Sequence, residues 1–208
     1  FLTIFSLAQI SLFLNFETLD RLLIMDDHVR FYRISVDAKN MLLHYGSPFG
    51  FNHHFQGGIP ALYWRGAFLE LLPFSLIFGD LPGYQFMLIF FLSLIPLSLF
   101  LLTRELMRRD DIPRVIAFFS SFYIGMKGYI FNGMTPLVLS VPLVFLSLFF
   151  VLRYSRRKYG GLLAAVFCLG LLAYTHLGAF VLCAGAIAVM MTQQPAASKQ
   201  RQHDIRRR

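Results

Sequence analysis

Residues 84–103 read YQFMLIFFLSLIPLSLFLLT, an uncharged apolar run of about the 20 residues that an α-helix needs to cross a hydrocarbon core of roughly 30 Å. Its proline, Pro96, is expected to kink such a helix without abolishing it, because neighbouring groups can satisfy the freed backbone carbonyl. Two runs of similar character follow at 112–131 and 135–152, joined by the turn-like pair Asn132-Gly133. Residues 1–16, FLTIFSLAQISLFLNF, read as the surviving part of a further helix. A cleaved signal peptide is the rival for that stretch, but it has no basic flank and no A-x-A site. The chain starts inside an apolar run and stops at a cluster of arginines, so it reads as a fragment of a longer protein.

Working outward, 57% of the residues are hydrophobic, only 14% are charged, and the mean hydropathy is +0.61. An ordinary soluble domain is less apolar and more charged, so lipid is the expected solvent for much of the surface. The formal charge of +8 is concentrated in 104–109, 153–158 and 199–208, each beside an apolar segment and with no base-stacking aromatic pattern. That distribution fits membrane topology and gives no support to nucleic-acid binding. Cys168 and Cys183 lie within apolar runs, far from any CxxC or Cys/His spacing, and read as small core residues.

The basic loops set the orientation. Arg104, Arg108 and Arg109 on one side of two helices, and Arg153, Arg156, Arg157 and Lys158 on the other, are both expected in the cytoplasm. Residues 17–83 then form a long extracytoplasmic loop, in which Glu17, Asp20, Asp26, Asp27, Asp37, Glu70 and Asp80 outnumber the Lys and Arg. The run 161–191 exceeds one crossing and is interrupted at Tyr174-Thr175-His176, with Gly178 close by. Two short antiparallel helices turning at His176 would return the basic residues 193–208 to the cytoplasm, where they form a polar tail or a truncated end. A single tilted helix is the alternative. The expectation is an all-α polytopic bundle, one transmembrane domain over 1–192.

Chemistry concentrates in the external loop. Asp26 is placed as an N-cap, and Ile34, Ala38, Met41, Leu42 and Tyr45 recur at helical spacing before Gly46, which predicts an amphipathic helix along the membrane surface. The following stretch, SPFGFNHHFQGGIPALYWRG, can bring polar side chains and backbone amides to a ligand. Residues 61–78 are then expected to form an apolar helix carrying Arg65 and Glu70. Asp26 and Asp27 sit at the water boundary beside His28, Arg30 and Arg33, a suitable place for a general base. They equally suit a helix cap and its dipole. His53, His54 and Gln56 offer ligands for a divalent cation or hydrogen bonds to sugar hydroxyls, although their spacing is no metal signature and a solvated loop accounts for them too. Lys127 either snorkels to outer headgroups or holds a lipid-linked phosphate. His176, an ionisable group in a membrane hairpin, either faces a cavity or is satisfied structurally.

The acidic pair in DDHVRFYRISVDAKNMLLHYGSP, the glycine-rich FQGGIPALYWRGAFLELLP and the hairpin AYTHLGA resemble the GT-C superfamily of membrane glycosyltransferases. The likeness is closest to multi-pass proteins labelled 6-pyruvoyl-tetrahydropterin synthase-related, a label that implies no pterin chemistry here. The resemblance implies a GT-C-like bundle in the plasma (inner) membrane of a prokaryote. It also implies that Asp26 or Asp27 deprotonates an acceptor hydroxyl while a polyprenyl-phosphate-linked sugar lies in the outer leaflet. Arg30, Arg65 and Lys127 are then the candidates to hold the donor phosphate. A non-catalytic membrane protein or a transporter of the same fold is the other reading. Transporters usually place broken helices and ionisable groups at the bilayer midplane, often in repeated halves, whereas the polar residues here gather outside and no repeat is visible.

Overall fold

The computed structural model describes residues 28–46, 51–52, 59–60, 67–121, 135–156 and 161–206. Among these, helices α1 (His28–Tyr45), α2 (Ala67–Phe78), α3 (Asp80–Met107), α4 (Asp111–Ser121), α5 (Thr135–Ser155), α6 (Gly161–Thr175) and α7 (Leu177–Arg206) account for nearly everything. The exception is a two-residue antiparallel pair, β1 (Phe51–Asn52) with β2 (Ile59–Pro60), in which Phe51 faces Pro60. The described chain is therefore helical, as its hydropathy pattern predicts. Two of its helices, α3 and α5, are long and apolar enough to cross a membrane. The run 1–16, the turn at Asn132-Gly133 and the latter half of 112–131 lie outside the described residues.

α5 spans almost the predicted 135–152 and continues to Ser155. α3 is 28 residues long and carries Pro96 inside it, so the helix extends past the apolar 84–103 at both ends. Arg104 consequently lies in its last turn and not in a loop. α1 ends where expected, at Gly46, whose φ of +69° is a left-handed conformation that favours glycine. Its buried stripe differs from the predicted one. Phe31, Ile34, Ser35, Ala38 and Lys39 are buried, while Tyr45 is 81% exposed. This i, i+3, i+4, i+7, i+8 face packs mainly on α2 and also touches α3, so a polar serine and lysine share the face that turns inward.

α2, Ala67–Phe78, covers the described part of the helix expected over 61–78; residues 61–66 lie outside the described residues. Gly79, with φ of +84°, joins α2 to α3 through one residue. The two helices then approach so closely at Gly83 that a Cβ there would lie 2.8 Å from backbone atoms of Phe74 and Ser75. α5 packs most extensively on α6 and α3. Leu71, Tyr84, Met87, Leu139, Leu172 and Cys183 form the main core cluster, drawing on α2, α3, α5, α6 and α7.

Side-chain contacts fix the directions of the helices. Tyr84 near the start of α3 bonds Thr135 at the start of α5, and Glu105 near the end of α3 bonds Arg156 just past the end of α5. These two helices therefore run parallel. Gly161 starts α6 against Phe150 and Tyr154 near the end of α5, and Thr175 ends it against Glu70, so α6 runs the opposite way. α7 returns: Cys183 lies by Val144, and Met190 packs on Leu102, Phe149 and Leu152. The apolar run 161–191 is thus two antiparallel helices divided at His176. The backbone of α7 remains helical beyond the apolar part, through Arg206.

Candidate functional site

One end of the bundle gathers many of the polar side chains that the helices bury. Lys39 on α1 bonds both Ser75 on α2, at 3.0 Å, and the carboxylate of Asp80 at the start of α3; Ser75 donates to the same carboxylate. Lys39 is only 8% exposed, and its Nζ lies against the Asp80 carboxylate, the pairing expected of a buried amine. Beside this group the ring of Tyr32 meets that of Tyr84 edge-on, 5.4 Å between centroids. Burial, and secondarily the negative Asp80, push the Tyr32 hydroxyl above its ordinary 10, which keeps it a neutral O–H group. Tyr84 shares a 2.6 Å hydrogen bond with Thr135, both fully buried.

Glu70 is the chemically sharpest residue. It is the sole carboxylate in the apolar helix AFLELLPFSLIF, and it is 4% exposed. Its Oε1 meets the Thr175 hydroxyl at the end of α6, while Oε2 is buried without a hydrogen-bond partner among the described residues. Burial is the main cause that raises its pKa from 4.5 to about 7, against smaller opposing effects of the Thr175 bond and the backbone. The hydrogen-bond geometry accommodates the proton. Thr175 also lies 2.7 Å from the Leu171 carbonyl oxygen, and its hydroxyl has one proton to give. Protonated Glu70 donates to Thr175, which donates to Leu171; ionised Glu70 takes the Thr175 proton instead. An acid with this pKa exchanges protons at neutral pH, which is what a general acid or base must do.

His176 separates α6 from α7 and caps the second of them. Its Nδ1 accepts the Ala179 N–H at 3.1 Å, the bond that an N-cap makes to the third residue of its helix. The ring's proton therefore sits on Nε2. Its place next to Thr175 puts it one residue from the Glu70 contact.

The predicted site residues fall unevenly on this arrangement. Asp26, Asp27, His53, His54, Gln56, Arg65 and Lys127 lie outside the described residues. His28 begins α1, and Arg30 is exposed on that helix, away from the buried network. Sequence reasoning passed over Lys39, although its i+4 spacing from Ser35 and its neighbour Ala38 put it on the inward stripe. It treated Glu70 as a bystander, although a single acid in an otherwise apolar helix signals a buried or functional carboxyl. No group of three or more His, Cys, Asp or Glu side chains that could hold a metal ion occurs among the described residues. Comparison with protein-family models, with curated proteins and with solved structures returns no match for this chain.

Proposed function

We propose that this chain belongs to a multi-pass membrane protein of GT-C-like architecture that transfers a sugar from a polyprenyl-phosphate donor at the extracytoplasmic face. The membrane part of this reading is supported by where apolar surface lies. Leu163 and Leu182 on α6 and α7 are 81% and 77% exposed, and Val166, Phe167, Val181 and Val189 lie exposed beside them. Polar side chains instead turn inward, as Ser98, Ser140 and Ser147 do while bonding carbonyls of their own helices. With the arginine-rich helix ends in the cytoplasm, the Lys39–Asp80 network faces outward.

The observation that carries the site assignment is the anchoring of α1 through Lys39 to Asp80 and Ser75. This bond fixes, on the bundle, the helix that directly follows Asp26 and Asp27 in sequence. Asp26 or Asp27 is the general base, His28, Arg30 and Arg65 line the donor site with Lys127, and His53, His54 and Gln56 meet the sugar or a divalent cation. Lys39 is a positioning residue.

A transport role is the second reading, favoured by the break at His176 beside a buried carboxyl. Depth weighs against it. At 1.5 Å per residue α3 is about 42 Å long, and its network residues Asp80 and Tyr84 occupy only about the first 6 Å of that length. Transport sites are expected near the middle. The test is sugar transfer by the full-length protein in membranes. Asp26→Asn with Asp27→Asn should slow transfer by roughly 10²–10⁴ while donor binding changes much less. Transfer at the unmodified rate by the folded double variant, together with proton-coupled uptake lost in Glu70→Gln, would establish the transport reading in its place.

A further inference from the structure

The opposite end of the bundle holds a cavity of about 780 Å³ that the transfer chemistry does not use. Five arginines line it: Arg104, Arg108, Arg109, Arg153 and Arg156. The two carboxylates in its wall are already engaged. Glu105 pairs with Arg156 at 2.8 Å, and Asp110 pairs with Arg104 at 2.7 Å and with Arg114 at 3.6 Å. Arg108, Arg109 and Arg153 have no carboxylate partner among the described residues. The cavity therefore keeps an excess of positive charge borne by planar guanidinium forks, the group best matched to phosphate oxygens.

Two features fix parts of this rim: a ring contact at the Arg153 side chain and a backbone cap at Arg108. Arg153 lies over the ring of Phe149, 5.5 Å from its centroid. Arg108 caps α3 in the left-handed conformation, with φ of +55°, and its N–H bonds the Arg104 carbonyl at 2.9 Å. It is the only described non-glycine residue with positive φ, at a position where glycine is the ordinary choice. The floor of the cavity is apolar. Leu101 and Phe149 each lie six residues before the last residue of their helices, about 9 Å inward along α3 and α5. Charge at the mouth and apolar side chains beneath match a phosphate headgroup with the root of its acyl chains.

We propose that this cavity binds the phosphate headgroup of an anionic phospholipid of the cytoplasmic leaflet, an inference that rests on the membrane reading given above. Basic pockets between helices on that face suit headgroups with more than one phosphate, such as that of cardiolipin. The test uses the full chain purified in neutral detergent, with binding followed by native mass spectrometry against cardiolipin, phosphatidylcholine and inorganic pyrophosphate. Cardiolipin should bind saturably and phosphatidylcholine should not. Arg109→Gln and Arg153→Gln should each weaken cardiolipin binding about tenfold or more, as expected for loss of a charge-assisted hydrogen bond. Arg153→Lys, which keeps the charge and loses the fork, should weaken it too. Arg109 is exposed, so its variant tests the site without threatening the fold. Cardiolipin binding equal in wild type and both glutamine variants would overturn the proposal, and so would pyrophosphate binding by a chain that retains no lipid. Recovery of the full chain from the soluble fraction without detergent would instead defeat the membrane reading itself, a result separable from either.

Discussion

Glu70→Gln keeps the shape of the side chain and a partner for Thr175 while removing the proton equilibrium. In the wild type, burial raises the carboxyl from 4.5 to about 7. Between those values the folded chain holds a proton that the unfolded chain has released, so stability falls as pH rises through the window. Below it both states are protonated and the group contributes nothing; above it both are ionised and the full cost of a buried carboxylate applies. A separation of that size corresponds to roughly 3 kcal/mol, or a shift in Tm of about 6–12 °C for a chain of this length. The assay is thermal unfolding of the two proteins in the same detergent from about pH 4 to about pH 8. The curves should coincide at the acid end and separate with rising pH, the glutamine variant becoming the more stable. Two curves that stay parallel across the range would show that Glu70 is ionised at its ordinary pKa, and the buried acid would then be no candidate for proton exchange.

Helix crossings give further tests. Gly83→Ala puts a methyl 2.8 Å from the backbone of α2, and Gly161→Ala puts one 2.5 Å from the Phe150 carbonyl oxygen; each should destabilise by about 1–3 kcal/mol, while Gly170→Ala, which meets nothing within 4 Å, should be neutral or stabilising. Equal unfolding temperatures for all three would contradict the close approaches. Tyr84→Phe should lose about 0.5–1.5 kcal/mol through the broken bond to Thr135, and Thr135→Val added to it should cost less than it does alone; strict additivity of the two changes in unfolding experiments would sink the pairing.

Much of this architecture is readable before any coordinates. The apolar run beginning at Thr135 is bounded by a glycine turn on one side and arginines on the other, and the helix α5 starts at that residue. The break at His176 is legible because a run too long for one crossing carries a polar trio at its middle. The end of α1 at Gly46 follows from the conformational freedom of glycine. Hydropathy reports where apolar side chains lie and not where backbone hydrogen bonds stop, which is why α3 exceeds its predicted span by four residues at each end. The network was less legible for a different reason. Lys39 and Asp80 are 41 residues apart, Glu70 and Thr175 are 105 apart, and no local pattern encodes such pairings. Lys39 on a largely apolar stripe announces only that some partner must exist.

The orientation of the bundle is the claim on which both sites depend. Cysteine accessibility in intact cells tests it most directly, using a background in which the buried Cys168 and Cys183 are replaced by alanine. Single cysteines are then placed at Ser47, just beyond α1, and at Ser155, the last residue of α5. An impermeant thiol reagent should label the Ser47 position in intact cells and the Ser155 position only after the membrane is permeabilised. Labelling of the Ser155 position in intact cells with the Ser47 position spared would invert the bundle, placing the Lys39–Asp80 network in the cytoplasm and contradicting the account.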